Sequence, residues 1–237
     1  MKNKFLNDIL KHKNPQIAEN SKRFFKTQKG EYSEHDIFLG VQAPLLRKIA
    51  KIYFKELNIE DFSILITNKY HEVRACALMA LILKYKKANN EQSRRQIFQF
   101  YMANTKYINN WDLVDISASN IIGHYLFNYN KTNSQQVLLS LANQESLWAQ
   151  RIAIVATHYF IKQNKYDTTL ALSKKLLNHK HDLMHKAIGW MLREVGKQNK
   201  DILVNLLETN INIMPRTTLR YAIEKFNENE RKTFLLK

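Results

Sequence analysis

Five segments of this sequence superpose on one another, and a chain that repeats a helical segment at near-constant spacing has few folds open to it. They are His71-Glu72-Val73-Arg74-Ala75-Cys76-Ala77, Trp111-Asp112-Leu113-Val114-Asp115-Ile116-Ser117, Trp148-Ala149-Gln150-Arg151-Ile152-Ala153-Ile154, Leu183-Met184-His185-Lys186-Ala187-Ile188-Gly189 and Thr217-Thr218-Leu219-Arg220-Tyr221-Ala222-Ile223. The fourth residues, Arg74, Asp115, Arg151, Lys186 and Arg220, stand 41, 36, 35 and 34 residues apart. That spacing accommodates a short helix, a polar turn and a longer helix. Small residues follow each of these positions, as close helix packing favours.

The composition agrees. The 237 residues include only 5 Gly and 3 Pro, too few turn and breaker residues for a β-sandwich or a doubly wound sheet of this length. Hydrophobic residues make up 45% of the chain, enough for a sizeable core. Asn14-Pro15 has the form of an N-cap followed by Pro at the first helical position, and predicts a helix to about Lys26. Thr27 to Phe38 reads as a loop, and Pro44 opens a helix with Leu45, Leu46, Ile49 and Ala50 at helical spacing. From about Ile59 the short helix, turn and longer helix alternate. The expected architecture is all-α, an α-solenoid of HEAT-like helical repeats, with residues 1–237 as a single domain.

Equivalent positions of a solenoid form a ladder along one face. Four of the five rungs here are basic, and 37 Lys and Arg against 21 Asp and Glu give a formal net charge of +16. A basic concave face suits DNA, because each neutralised phosphate releases condensed counterions. No membrane partner is expected. The longest purely apolar run, Ala75 to Leu83, is too short to span a bilayer, and Met1 to Lys13 has no signal-peptide core. Cys76, the single cysteine, can form no intrachain disulfide and reads as a small core residue. A monomeric cytoplasmic protein, nucleoid-associated when acting, is the expectation.

Asp115 breaks the basic ladder, and an acid in a phosphate track opposes DNA affinity. With Asn110 as N-cap, Asp112 falls in the first turn, where a carboxylate complements the helix dipole. Asp115 lies one turn further in and shares a face with Trp111, four residues earlier. It reads either as a charge placed for a developing cation or as a salt-bridge partner of Arg151. Trp190 stands four residues after Lys186, on the face of that rung, whereas Trp148 reads as packing between repeats. No Gly-rich phosphate loop and no Ser-His-Asp or Cys-His arrangement is readable. His179, His181 and His185 have metal-like spacing, but no carboxylate or Cys completes the set, so neither metal nor cofactor is expected.

Three stretches, Trp111-Asp112-Leu113-Val114-Asp115, Leu147-Trp148-Ala149-Gln150-Arg151-Ile152-Ala153-Ile154 and Lys186-Ala187-Ile188-Gly189-Trp190-Met191-Leu192-Arg193-Glu194, resemble the AlkD-like DNA alkylation repair glycosylases. The resemblance extends over essentially the whole chain, including Phe38-Leu39-Gly40-Val41-Gln42-Ala43-Pro44, and is strongest from about Tyr107 to Phe226. It implies an α-solenoid of HEAT-like repeats and hydrolysis of the N-glycosidic bond of cationic purines, N3-methyladenine and N7-methylguanine, in duplex DNA. It also implies that Asp115 is the catalytic aspartate, that Trp111 and Trp190 pack against the lesion's deoxyribose, and that Arg151 contacts phosphate. Further DNA contacts are expected from Arg74, Lys186, Arg193, Arg216 and Arg220. The N-terminal third matches less closely. A non-catalytic HEAT-repeat protein for branched or damaged DNA is the nearest rival reading; a protein-binding scaffold predicts an apolar or mixed face instead.

Overall fold

The computed structural model describes residues 1–236, and the regular structure among these is helical; no strand forms among them, and the sole β-type pairing is an isolated bridge between Ile37 and Tyr70. The expected all-helical class is thus observed. By packing, the chain divides into two compact units, Met1–Ser117 and a second beginning at Ala118.

The first unit holds α1 (Lys2–Leu10), α2 (Pro15–Phe25), α3 (Ala43–Tyr53), α4 (Ile59–Ile66), α5 (His71–Lys87), α6 (Glu91–Ala103) and α7 (Trp111–Ala118), which ends just past its boundary. Helix α2 begins where the sequence places it. The Asn14 side chain accepts hydrogen bonds from Gln16 N (3.0 Å) and Ile17 N (3.1 Å), satisfying two amides that lack helical partners. It ends at Lys26, in the left-handed conformation at φ 55°, with Lys22 and Arg23 in its last turn complementing the dipole. Helix α5 packs on α3 and α4, and buries Cys76, Leu78, Leu81 and Tyr85.

The second unit opens on a π-helical turn, Ser119–Gly123, and continues with α8 (His124–Tyr129), α9 (Ser134–Ala142), α10 (Leu147–Ala156), α11 (His158–Lys162), α12 (Asp167–Leu176), α13 (Asp182–Gln198), α14 (Lys200–Asn210), α15 (Arg216–Ala222) and α16 (Glu228–Leu236). Successive helix pairs stack in the manner of an α-solenoid: α9 on α10, α10 on α13, α12 on α13, and α13 on both α14 and α15. The repeat phase read from the sequence coincides with helix starts, since α5, α7, α10, α13 and α15 open at or within one residue of the five segments. The expectation that all five are longer helices is corrected. Only α5 and α13, at 17 residues each, are long, whereas α15 has 7. The run containing α10 breaks at Thr157, where the backbone N–H bonds to the Ile154 carbonyl and the hydroxyl donates to the same carbonyl at 2.6 Å.

Gly189 sets the approach of α15 to α13. A Cβ at this position would lie 2.5 Å from the Tyr221 Cβ and 2.6 Å from the Thr218 carbonyl oxygen. Gly189→Ala therefore overpacks a backbone contact, and we expect a stability loss of about 1–3 kcal/mol, read from the urea midpoint.

Candidate functional site

Helix α7 is positioned by groups the sequence scatters over its first half. Asp36, in the loop after α2, is buried among cations and donors: Arg74 donates to its Oδ1, and Asn110 Nδ2 donates to Oδ2 at 2.8 Å. Its Oδ2 also faces His71 Nδ1 at 3.2 Å, while His71 Nε2 lies 2.8 Å from Asp112 Oδ2. A carboxylate at each ring nitrogen requires both nitrogens to donate, which makes the buried ring an imidazolium. Burial disfavours that charge, but Asp112 and then Asp36 outweigh it and hold the ring up to about 9. Burial likewise works against the Asp36 charge, and His71, Arg74 and Asn110 overcome it, holding the carboxyl down to about 2. Neighbouring Glu72, also buried, accepts from Leu39 N (2.9 Å) and Gly40 N (2.7 Å), so the loop is fastened to the start of α5 along its length. Gly40 is required there: it adopts φ +79°, and a Cβ would fall 2.0 Å from the Asn14 carbonyl oxygen.

An aromatic cluster lies against this charge cluster. Phe25 stacks on Phe38 (4.9 Å) and on Trp111 (5.4 Å), and its ring is 5.0 Å from His71. Phe24 meets Trp111 edge-on at 5.7 Å and remains 65% exposed. Trp111 is itself half-buried, as is Asp115 one turn along α7. Beneath that turn, the Tyr101 hydroxyl donates to Ser117 Oγ (2.8 Å), which donates to the Leu113 carbonyl (2.6 Å). Burial, and then the Asp115 charge, push the Tyr101 phenol above its ordinary value, so it stays a neutral donor. Asn110, at the predicted N-cap position, uses its amide nitrogen on Ser33 and Asp36 and its oxygen on Trp111 N. Asp112 has the structural role expected of it, through His71 and Leu113 N rather than the dipole alone.

In the second unit, Trp190 is half-buried on α13, with its ring 5.5 Å from that of His158. Lys186, one turn earlier, pairs with Asp182 at 2.7 Å. Arg193 pairs with Glu224 and sits 3.5 Å from Glu194. Arg216 is exposed and donates to the Leu235 carbonyl, and Arg220 is exposed. The three histidines with metal-like spacing bond to backbone: His179 Nδ1 and His181 Nδ1 accept from the amides of His181 and Leu183, and His185 Nε2 faces the His179 carbonyl.

Two ladder residues depart from expectation. Arg74, expected to reach DNA, is 5% exposed and spends its guanidinium on Asp36 and the Asn68 carbonyl. Arg151 is 4% exposed and donates to the Leu183 carbonyl. A guanidinium one turn into an inner helix is long enough to brace a neighbouring turn, and both use that reach. Asp36, His71, Phe24 and Phe25 escaped the sequence reading. The available signal for His71 was an imidazole at the first position of a helix, where an acid is the usual occupant.

A family model described as DNA alkylation repair enzyme matches residues 6–226. The chain belongs to the DNA alkylation repair enzyme family. No curated protein matches it. A solved structure from Enterococcus faecalis, described as a predicted DNA alkylation repair enzyme, is similar in fold with a TM-score of 0.71 at 17% identity, over 92% of this chain and 98% of that one. Membership gives this family member a role in repair of alkylated DNA.

The charge cluster carries two measurable consequences. Arg74→Met leaves Asp36 buried with one cation fewer, and we expect about 3–5 kcal/mol lost in urea unfolding. The raised His71 value means that its stabilisation is complete below its ordinary value of 6.5 and is lost as pH rises through about 9. Asp36 works oppositely, contributing above its ordinary 3.8 and failing as pH falls toward 2. The stability gap between the native chain and Asp112→Asn should therefore be wide at about pH 6 and shrink by about pH 10.

Proposed function

We propose that this family member is a monofunctional glycosylase that hydrolyses the N-glycosidic bond of cationic alkylpurines, N3-methyladenine and N7-methylguanine, in duplex DNA and leaves an abasic site. The observation that most supports this is the placement of Asp115: a half-buried carboxylate one turn beyond a half-buried tryptophan, in a chain of the alkylation repair family.

Alkylation at N3 or N7 puts a positive charge on the purine and makes it a leaving group that needs no general acid. As the bond to the base lengthens, positive charge gathers on the sugar, as in glycoside hydrolysis. Asp115 stabilises that charge and orients or deprotonates the attacking water. Trp111 offers a π face to the same kind of cation, worth about 0.5–2 kcal/mol if desolvated. Trp190 is proposed for the same role, as the resemblance implies. Exposed Arg216 and Arg220 are the more accessible phosphate contacts, with Lys186 and Arg193 as cations already shared with carboxylates. Arg151, given a phosphate contact by the resemblance, is buried with its guanidinium donating to the Leu183 carbonyl, and is proposed to brace the start of α13 instead.

The deciding experiment is release of free base from alkylated duplex DNA by the native chain and by Asp115→Asn. We expect release of either methylpurine by the native protein and a rate at least about tenfold lower in the variant, a barrier increase of about 1.4 kcal/mol. A native protein that binds duplex but releases no base refutes the glycosylase reading in favour of DNA-structure binding. Separately, Arg220→Ala should reduce the slope of log affinity against log salt by about 0.9, the contribution of one phosphate contact.

A further inference from the structure

The residues assigned to chemistry on α7 do not hold themselves in place. Helix α7 begins at Trp111, and its first turn is tied to the rest of the unit through Asn110 and Asp112. Both ties lead to the same place, since Asn110 binds Asp36, and Asp112 binds the imidazole that binds Asp36. We propose that His71 is a positioning residue: its imidazolium, bonded at both ring nitrogens, locks the first turn of α7 to the Asp36 loop and so sets the orientation of Trp111 and, one turn on, Asp115. This rests on the glycosylase reading for its effect on base release, but not for its effect on Trp111.

Several features separate this from ordinary core packing. A cation at the first position of α5 opposes the dipole of its own helix, so propensity alone would not place it there. The groups facing the ring are Asp36 from the loop, Asp112 from α7, and the rings of Phe25 from α2 and Phe38 from the loop. Arg74, one turn further along α5, shares Asp36 with it. Two carboxylates and two cations thus balance while His71 is charged, and the cluster holds one uncompensated negative charge when it is not. Deprotonation also removes a donor, so one of the two ring-to-carboxylate bonds must break. The Phe25 ring that touches the imidazole at 5.0 Å is the one stacked on Trp111 at 5.4 Å, giving a second, apolar route from His71 to the indole.

The variants are His71→Gln, which is neutral and cannot donate in two opposite directions, and His71→Arg, which keeps the charge, several donors and a planar face for Phe25 and Phe38. Trp111 emission is read in a background of Trp148→Phe and Trp190→Phe, so that the signal comes from one indole and needs no activity. Between about pH 7 and about pH 10 we expect an emission transition with a midpoint near 9 with His71 present and none in His71→Arg. In the otherwise native chain, His71→Gln should slow single-turnover base release at least about fivefold with duplex affinity within about twofold, and His71→Arg should restore the rate to within about twofold.

A folded His71→Gln protein with native emission and native release overturns the proposal. So does a His71 protein whose Trp111 emission shows no transition, a measurement that stands even if the Gln variant fails to fold. If the emission transition is present while the native chain releases no base, the positioning of Trp111 is upheld and the glycosylase reading alone fails.

Discussion

The first unit depends on a cluster of two acids and two cations, three of them buried and the fourth, Asp112, partly so. Asp36, His71, Arg74 and Asp112 come from a loop, from the start of α5 and from the start of α7, and none of the three buried ones is tolerable in that place without its partners. Such a cluster contributes little net stability compared with an apolar filling of the same shape, since each charge must be desolvated before the attraction is gained. What it supplies is register. The bonds are directional and each partner is needed to neutralise another, so a shift of α7 along its axis would leave a carboxylate buried and unpaired. A hydrophobic contact tolerates that kind of slide far better.

The aromatic cluster turns this register into an orientation. Phe25 touches Phe24, Phe38, His71 and Trp111, and thus joins the end of α2 and its following loop to the starts of α5 and α7. Its position follows from the way α2 ends. The left-handed Lys26 turns the chain immediately after the Phe24-Phe25 pair, sending one ring inward and leaving the other at the surface beside Trp111. Phe24 is thereby left exposed next to a basic helix end bearing Lys22 and Arg23.

Much of this was legible in the sequence, for reasons that can be traced. Asn14-Pro15 specifies a helix start by capping and by a fixed φ, both local effects, and α2 begins there. The repeat phase was legible because small residues recur in the five segments, and one of them, Gly189, lies where Thr218 and Tyr221 approach. Helix lengths were not legible. A periodic pattern continues through Thr157 although α10 ends just before it. Nor were the partners of Arg74: position in a repeat says which face a side chain leaves from, whereas its destination depends on a loop acid 38 residues away. Asp36 sits in the segment with least periodicity, so no pattern points to it.

The two tryptophans assigned to chemistry differ in their neighbours yet share an electrostatic condition. A π face attracts a cation only if no other positive charge already occupies or opposes it. Near Trp111 the charged imidazolium of His71 is bound by two carboxylates, and the ring of Phe25 touches both it and the indole. Near Trp190, the imidazole of His158 lies within ring contact, and a charged His158 would compete for that π face directly. Burial, and then Lys162, lower its proton affinity below the ordinary histidine value. One histidine is kept charged but neutralised by partners, the other is biased towards its uncharged form. In the proposed glycosylase, these opposite shifts would leave each indole face available to the cation that forms as the base departs.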